Sequence, residues 1–221
     1  MGYDRWVDAV RAARGDASEL LEVFRELPLD GLQLAGNALL PYVAADEAAL
    51  VVSRLVVLLH DRGWEGDAEL AAALTPNSTT DELRSLPVDL EDLGDALDES
   101  EASEGFLDLE TGQVWPGALF EVDAGPENAD LDDETRWMLV RGLGPAESRR
   151  DMRDFALTVD RPALREQLLE MLEGRGGHRR FRDALSRHGE EFTRWHRLKN
   201  DRILGRARAW LADAGYRPAA G

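Results

Sequence analysis

The spacing of apolar residues changes twice along the chain, and this change restricts the fold more than any other feature of the sequence. Up to Leu74, apolar side chains recur every three or four positions, as on one face of an amphipathic helix. Between Phe106 and Trp115 apolar and polar residues alternate, which is typical of a half-buried strand. Helical spacing returns from Pro145 onwards. The sequence therefore predicts an α+β fold, in which an N-terminal helical bundle is followed by a small antiparallel sheet packed against C-terminal helices.

The N-terminal part is predicted to be a separate helical unit. Its most apolar helix, Glu47–Asp61, has almost no polar face, which predicts a place in the middle of the bundle. The later stretch Thr75–Thr80 has no aliphatic side chain and is rich in residues that form turns and caps. A linker of this kind predicts a domain boundary, with a helical domain over residues 1–80 and an α+β domain over residues 81–221.

The alternating stretch predicts a β-hairpin. Its turn, Glu-Thr-Gly, places Gly112 where a short hairpin loop needs a residue with positive φ. Because successive side chains of a strand point to opposite faces, Leu107 and Leu109 are predicted to face the core. Asp108 and Glu110 are predicted to share the opposite, solvated face.

Two further segments are predicted to complete the sheet. Residues 119–122 are expected to extend it, and residues 137–140 are expected to form its last strand. The rest of the chain reads as helices whose aromatic residues lie on apolar stripes, and Phe192 and Trp195 are predicted to precede the last helix.

An arginine-dense turn is the only strongly basic segment in a chain of formal net charge −18. Glycine lets the backbone approach a ligand closely, and the first N–H groups of the following helix lack partners and favour an anion. Arginine can bind an oxyanion through two parallel hydrogen bonds. These features predict a ligand-binding site for an anion. The predicted site comprises Arg175, Gly176, Gly177, His178, Arg179, Arg180 and Arg182.

A purely structural role for this turn stays open. Residues 148–221 hold 17 basic and 11 acidic side chains, whereas residues 87–147 hold 2 and 18. The arginines could therefore pair with the acidic middle of the chain, and the glycines could simply end a helix. Carboxylates close in sequence are further candidate partners, namely Asp151, Asp154, Glu170 and Asp183.

Several short motifs within residues 88–218 resemble those of the bacterial uncharacterised protein family 0158, in order and in spacing. One departure is the pair Gly177-His178, where the family typically has an aromatic residue. The resemblance implies a cytoplasmic bacterial protein with a domain boundary before the matching region, and it implies no catalytic residue. The matching motifs are Val88–Leu97, Phe106–Gly112, Trp137–Leu143, Met152–Phe155, Leu172–Gly176, Arg179–Arg182, Trp195 and Trp210-Leu211.

The sequence leaves three functions open. The first is a non-enzymatic binding protein that holds an anion or an acidic partner at the arginine turn. The second is a hydrolase or transferase acting on a phosphate-containing substrate, with Asp108, Glu110 or His178 contributing, although no GxxxxGK[ST], GxSxG or HExxH pattern supports it. The third is a protein-docking module that uses the N-terminal helices.

Composition narrows the expected partners. The chain has no cysteine, so disulfides and cysteine-based metal sites are excluded, and no metal or cofactor is expected. Its negative charge disfavours nucleic acid and leaves a protein partner or a small anionic ligand. The longest apolar run, residues 48–59, is too short to span a membrane, so neither a membrane location nor a secretory signal is expected and the predicted location is the cytoplasm.

Overall fold

The fold was analysed in a computed structural model, which describes residues 3–25, 27–76, 82–122, 124–126, 129–174 and 176–219. Over these residues it has the predicted α+β class, with N-terminal helices, a three-stranded antiparallel sheet and C-terminal helices. Its helices are α1 (Tyr3–Ala13), α2 (Ala17–Val23), α3 (Leu32–Leu39), α4 (Ala49–Arg62), α5 (Asp67–Ala73), α6 (Leu90–Leu97), α7 (Gly117–Glu121), α8 (Pro145–Leu157), α9 (Pro162–Met171), α10 (Gly177–Leu185) and α11 (Gly189–Asp213). Its strands are β1 (Arg84–Leu86), β2 (Glu104–Asp108), β3 (Val114–Pro116), β4 (Trp137–Arg141) and β5 (Tyr216–Pro218).

The longest helix, α11, runs through the centre of the molecule and contacts α1, α3, α5, α6, α8, α10 and β5. The closest approach is at Gly205, where an added Cβ would overlap the carbonyl oxygen of Glu65. A Cβ on Gly66 would likewise overlap the backbone of Gly205, so glycine on both sides lets α5 and α11 pack backbone against backbone. The helix begins at Gly189 and includes Trp195, earlier than predicted, because a glycine in the first position does not weaken the helix interior.

The prediction for the most apolar helix, α4, is wrong. It lies at the surface rather than in the middle of the bundle, with Leu50 82% and Val57 57% exposed. Its core-facing side is a narrow stripe of Val52, Leu55 and Leu59, spaced three and four residues apart. The more enclosed helix is α3, in which seven of the eight residues are buried.

The sheet has the order β3-β2-β4, and the predicted hairpin is confirmed. Gly112 adopts a φ of 76°, and a Cβ there would overlap the backbone of Pro87. The last strand is confirmed as β4. Residues 119–122 do not extend the sheet, however, because the helix α7 takes up 117–121 and places Phe120 against the aromatic rings of the sheet.

A second, two-stranded parallel sheet was not predicted. In it β1 pairs with β5, with Arg84 opposite Tyr216 and Leu86 opposite Pro218. Each strand has three residues, which is too short for alternation to be recognised in the sequence. This pairing joins the start of the α+β part of the chain to its C-terminal segment.

Two apolar clusters form the core. One contains buried residues of α1 to α6, the sheet and the C-terminal half of α11, and the other contains those of α8, α9, α10 and Trp195. In the second cluster Phe155, Phe181 and Trp195 meet edge to face, with ring centroids 5.4 to 6.4 Å apart. The predicted boundary at residue 80 falls among residues 77–81, which lie outside the described residues, and it stays a prediction.

Candidate anion-binding surface

The arginine turn connects the end of α9 to the start of α10. Two left-handed glycines bracket it, Gly174 with a φ of 77° and Gly176 with a φ of 74°. Gly177 then packs so closely on α9 that a Cβ would lie 3.0 Å from the carbonyl oxygen of Met171. Glycine is thus needed here for the turn itself, before any ligand is considered.

The predicted site residues do not all face the same way. Arg180 turns back, and its Nη2 donates to the carbonyl oxygens of Met171 (3.1 Å) and Glu173 (2.6 Å). Since these carbonyls end α9, Arg180 caps that helix and complements its dipole. Arg179 points to solvent, 90% exposed and 3.6 Å from Asp183. Arg182 is exposed and forms no ion pair within the described ranges, and Arg175 lies outside them.

His178 is half-buried, and its Nε2 has no hydrogen-bond partner among the residues that the structure describes. Burial lowers the pKa of the imidazole below its usual range, and the positive charge of Arg149 lowers it further. Asp98 opposes this shift without reversing it. His178 is therefore neutral at neutral pH and adds no positive charge to the turn.

The helix after the turn, α10, packs on α9 and α11, and it also reaches α8 through one aromatic contact that the sequence did not indicate. Phe155 of α8 contacts Phe181 of α10, with ring centroids 6.4 Å apart. On α8 the exposed Arg149 and Arg153 are spaced i, i+4, which places their side chains on one side of that helix. Arg182 follows His178 on α10 at the same spacing. We name four of the exposed arginines of these two helices the basic face: Arg149, Arg153, Arg179 and Arg182.

The carboxylates of α8 are paired with arginines outside the basic face, and one of them, Glu147, binds Arg150. Asp151 is buried and accepts two hydrogen bonds from Arg206 of α11, at 3.2 and 2.8 Å. Asp154 accepts one from Arg202, at 3.2 Å. Of the carboxylates considered from the sequence as partners for the turn, Asp183 is the one seen in an ion pair with it in the described part of the chain.

A buried ionic network lies on the other side of α11. Asp201 contacts Arg62 and accepts the backbone N–H of Gln33 at 2.8 Å, and Arg62 also binds Asp67 at 2.5 Å. Burial raises the pKa of Asp201 to about 6, against the lowering effect of Arg62. The indole of Trp64 lies between two guanidinium groups, 4.1 Å from that of Arg62 and 4.0 Å from that of Arg202. Sequence reasoning missed this network, because its members lie far apart in the chain.

Comparison with known proteins separates this molecule into two parts. The model of an uncharacterised protein family, UPF0158, matches residues 84–221. The chain belongs to this family. It is 30% identical over 141 residues to a UPF0158 protein of Pseudomonas aeruginosa, an alignment that covers 62% of this chain and 90% of that protein. No solved structure matches the chain.

The predicted anion site and the whole basic face lie inside the UPF0158 region. The buried network of Asp201 does not, because Gln33, Arg62 and Asp67 come from the N-terminal helices. The resemblance predicted for residues 88–218 is thus confirmed with nearly the same bounds.

The carboxylates considered for catalysis, Asp108 and Glu110, also belong to the UPF0158 region. Asp108 is not solvated as predicted but 2% exposed, because it accepts the N–H groups of Glu110 and Thr111 and a hydrogen bond from Arg136. Burial raises the pKa of Asp108, but these hydrogen bonds outweigh it and hold the pKa below its usual range. Asp108 therefore stabilises the hairpin turn as a carboxylate and is not prepared to act as an acid.

Two further features are absent from the described ranges. No group of three or more histidine, aspartate and glutamate side chains there could hold a metal ion. None of the helices is both long enough and apolar enough to cross a bilayer.

Proposed function

We propose that this chain is a non-enzymatic binding protein of the bacterial cytoplasm, and that its basic face holds an acidic segment of a partner protein. One observation carries the proposal. Three exposed arginines, Arg149, Arg153 and Arg182, form no ion pair with a described residue, although the chain has an excess of 18 negative charges. Unpaired exposed arginines at such a charge balance leave guanidinium groups available to carboxylates of another molecule.

An acidic protein segment fits this surface better than the other anions considered. The arginines are exposed and spread over two helices, so an extended segment can contact several of them, whereas a small ion would stay solvated there. Nucleic acid carries many phosphates, and the net negative charge of this chain repels them at long range. Carboxylates spaced along a peptide need to approach only the basic face.

The direct test is the binding of a fluorescently labelled peptide of glutamate and glycine, followed by anisotropy at increasing salt. We expect a salt-sensitive complex, and we expect the triple variant Arg149→Glu, Arg153→Glu, Arg182→Glu to bind at least about tenfold more weakly, a change of roughly 1.4 kcal/mol. The control is Arg5→Glu with Arg14→Glu, which reverses exposed arginines at α1 instead. Equal loss in the control would mean that net charge, and not the basic face, attracts the peptide.

A second candidate function, docking of a protein through the N-terminal helices, is favoured by the exposed apolar side of α4. Leu50 and Val57 lie two turns apart on that side, and both are largely exposed. The partner expected from this chemistry is an apolar helix face of another protein. Leu50→Ser with Val57→Ser would then release a co-purifying protein while leaving the melting temperature within a few degrees of the parent chain. A bound partner that survives both changes would remove α4 from the interface.

A further inference from the structure

A buried arginine of α11 lacks the acidic partner that the other buried arginines have. Arg208 is 2% exposed. Its Nε donates to the side-chain oxygen of Gln33 at 3.1 Å, and its Nη2 donates to that of Asn37. Both acceptors are neutral amides, and no carboxylate among the described residues lies within ion-pair distance. By contrast, Arg206 holds Asp151 at 2.8 Å.

The third nitrogen of this guanidinium group, Nη1, makes no hydrogen bond to a described residue. Burial lowers the pKa of Arg208 to about 10, although the charge of Glu69 opposes the shift. The group is still a cation at neutral pH. A buried cation without an anion is destabilising, since its desolvation is not offset by an opposite charge.

Arg208 lines a cavity of about 110 Å³ between α5, α11, the turn after α3 and β5. Arg217 lines the same cavity, and its Nε is buried without a hydrogen-bond partner in the described part of the chain. Glu69 contributes the one negative charge of the lining, so the charged side chains around the cavity sum to +1. The remaining lining is mostly apolar, as in ligand sites where few polar groups fix the orientation.

We propose that this cavity binds one small oxyanion, held by the guanidinium groups of Arg208 and Arg217. An anion placed there would offset the excess positive charge and accept hydrogen bonds from Nη1 of Arg208 and Nε of Arg217, which have no partner among the described residues. Size restricts its chemistry. A water molecule needs about 10–15 Å³ of cavity volume. The cavity of about 110 Å³ therefore accommodates several waters or one small anion but not a nucleotide. The ligand class is therefore inorganic phosphate or sulfate, or a small carboxylate.

The site joins the two parts of the chain. Arg208 and Arg217 belong to the UPF0158 region, whereas Gln33, Asn37 and Glu69 come from the N-terminal helices outside it. An anion bound here would stabilise the packing of α3 and α5 on α11, because it binds the folded arrangement alone. The inference is independent of the basic face, which lies on α8 and α10.

The test uses the full chain and three probes: phosphate, sulfate and acetate, each against sodium chloride at equal ionic strength. Calorimetric titration gives the dissociation constant, and the melting temperature gives the coupled stabilisation. We expect at least one probe to bind and to raise the melting temperature with concentration. Arg208→Met should abolish both effects. Arg217→Gln should raise the dissociation constant by about 10- to 100-fold, as for loss of a charge-assisted hydrogen bond.

The matched control is Arg5→Gln, which removes one exposed positive charge from α1 and should leave the dissociation constant unchanged. Binding of phosphate or sulfate alone would identify a free inorganic ion as the ligand, whereas binding of acetate would identify a carboxylate. The proposal is overturned if none of the three probes binds, or if binding persists in Arg208→Met. Should Arg208→Met not fold, an unchanged dissociation constant in Arg217→Gln overturns it equally.

Discussion

Two sets of arginines in this protein have the same chemistry but differ in their exposure to water. One set lies on α8 and α10, and the other lies on α11. On α10, Arg179 and Arg182 are exposed, and their charges are solvated. On α11, Arg206 and Arg208 are buried, so each must find its hydrogen-bond partners inside the protein. The conspicuous cluster in the sequence thus includes charges that stay in water. The inconspicuous arginines, scattered along α11, connect it to α3 and α8.

This difference shows that a high number of arginines in one sequence segment does not indicate whether they stabilise the fold. A guanidinium group at the surface retains most of its water, and its ion pairs contribute little to stability. A buried one either has a carboxylate, as Arg206 has Asp151, or is left with neutral acceptors, as Arg208 is. Only the second situation leaves a positive charge unmatched inside the molecule. Substitutions in the two sets of arginines test whether this division of roles holds.

The largest effect is expected from Arg206→Ala. It leaves the buried carboxylate of Asp151 without its partner, which should lower the free energy of unfolding by about 3–5 kcal/mol. Urea denaturation measures the change, and Arg182→Ala on the basic face is the control, expected within about 0.5 kcal/mol of the parent chain. Similar losses in the two variants would end the distinction between the two sets of arginines.

Gly66→Ala tests the close backbone contact between Gly66 and Gly205 of α11. Its new Cβ would overlap Gly205 and would also have to adopt a φ of 82°, so we expect a loss of about 3 kcal/mol from overpacking and backbone strain together. Gly15→Ala is the control, because Gly15 also has a positive φ but has open space around it. It should lose about 1 kcal/mol, the strain alone. Equal losses would show that the backbone contact is not tight.

The buried network should also change the response to pH. The pKa of Asp201 is about 6 in the folded chain, whereas the ordinary value that applies to the unfolded chain is 3.8. Between these two values the folded state therefore retains a proton that the unfolded state releases. The free energy of unfolding should therefore fall as pH rises from about 4 to about 6, by roughly 2 kcal/mol. Asp201→Asn should flatten this part of the stability profile.

Asp108 should give a pH dependence of stability with the opposite sign. Its pKa is lowered by folding, so its contribution is present above pH 3.8 and is lost as pH falls below that value. Asp108→Asn should therefore change the profile on the acidic side and leave the interval between pH 4 and 6 as in the parent chain. If Asp108→Asn removed the slope between pH 4 and 6, the slope would belong to Asp108 and not to Asp201.

The smallest effects separate two adjacent arginines of the turn. Arg180→Ala removes the hydrogen bonds to the last carbonyls of α9 and should lower the free energy of unfolding by about 1 kcal/mol. Arg179→Ala removes an exposed ion pair of 3.6 Å and should change it by less than about 0.5 kcal/mol. The thermal midpoints of the two variants give the comparison. A larger loss from Arg179→Ala would mean that the side chain of Arg180 does not cap α9.

Local sequence patterns predicted most of the elements. The hairpin around Gly112 followed from alternation and a turn residue, and the helices followed from apolar spacing and from glycines that end them. What depended on packing between distant segments could not be predicted. The buried Asp108 pairs with Arg136, which is 28 residues further along the chain, and Leu50 is exposed although it belongs to the most apolar helix. Likewise, nothing local shows that Arg180 turns back while Arg179 points outward.

The pairing of β1 with β5 has a consequence for how the UPF0158 region carries additional segments. With Arg84 opposite Tyr216, the beginning and the end of that region meet side by side. A segment added before β1, such as the helices of this chain, thus enters the molecule next to the point where the C-terminal segment leaves it. Such an addition does not have to open the sheet or separate α6 from α11. Because the two ends of the region lie together, an added segment is attached at one place, beside the pairing of β1 with β5.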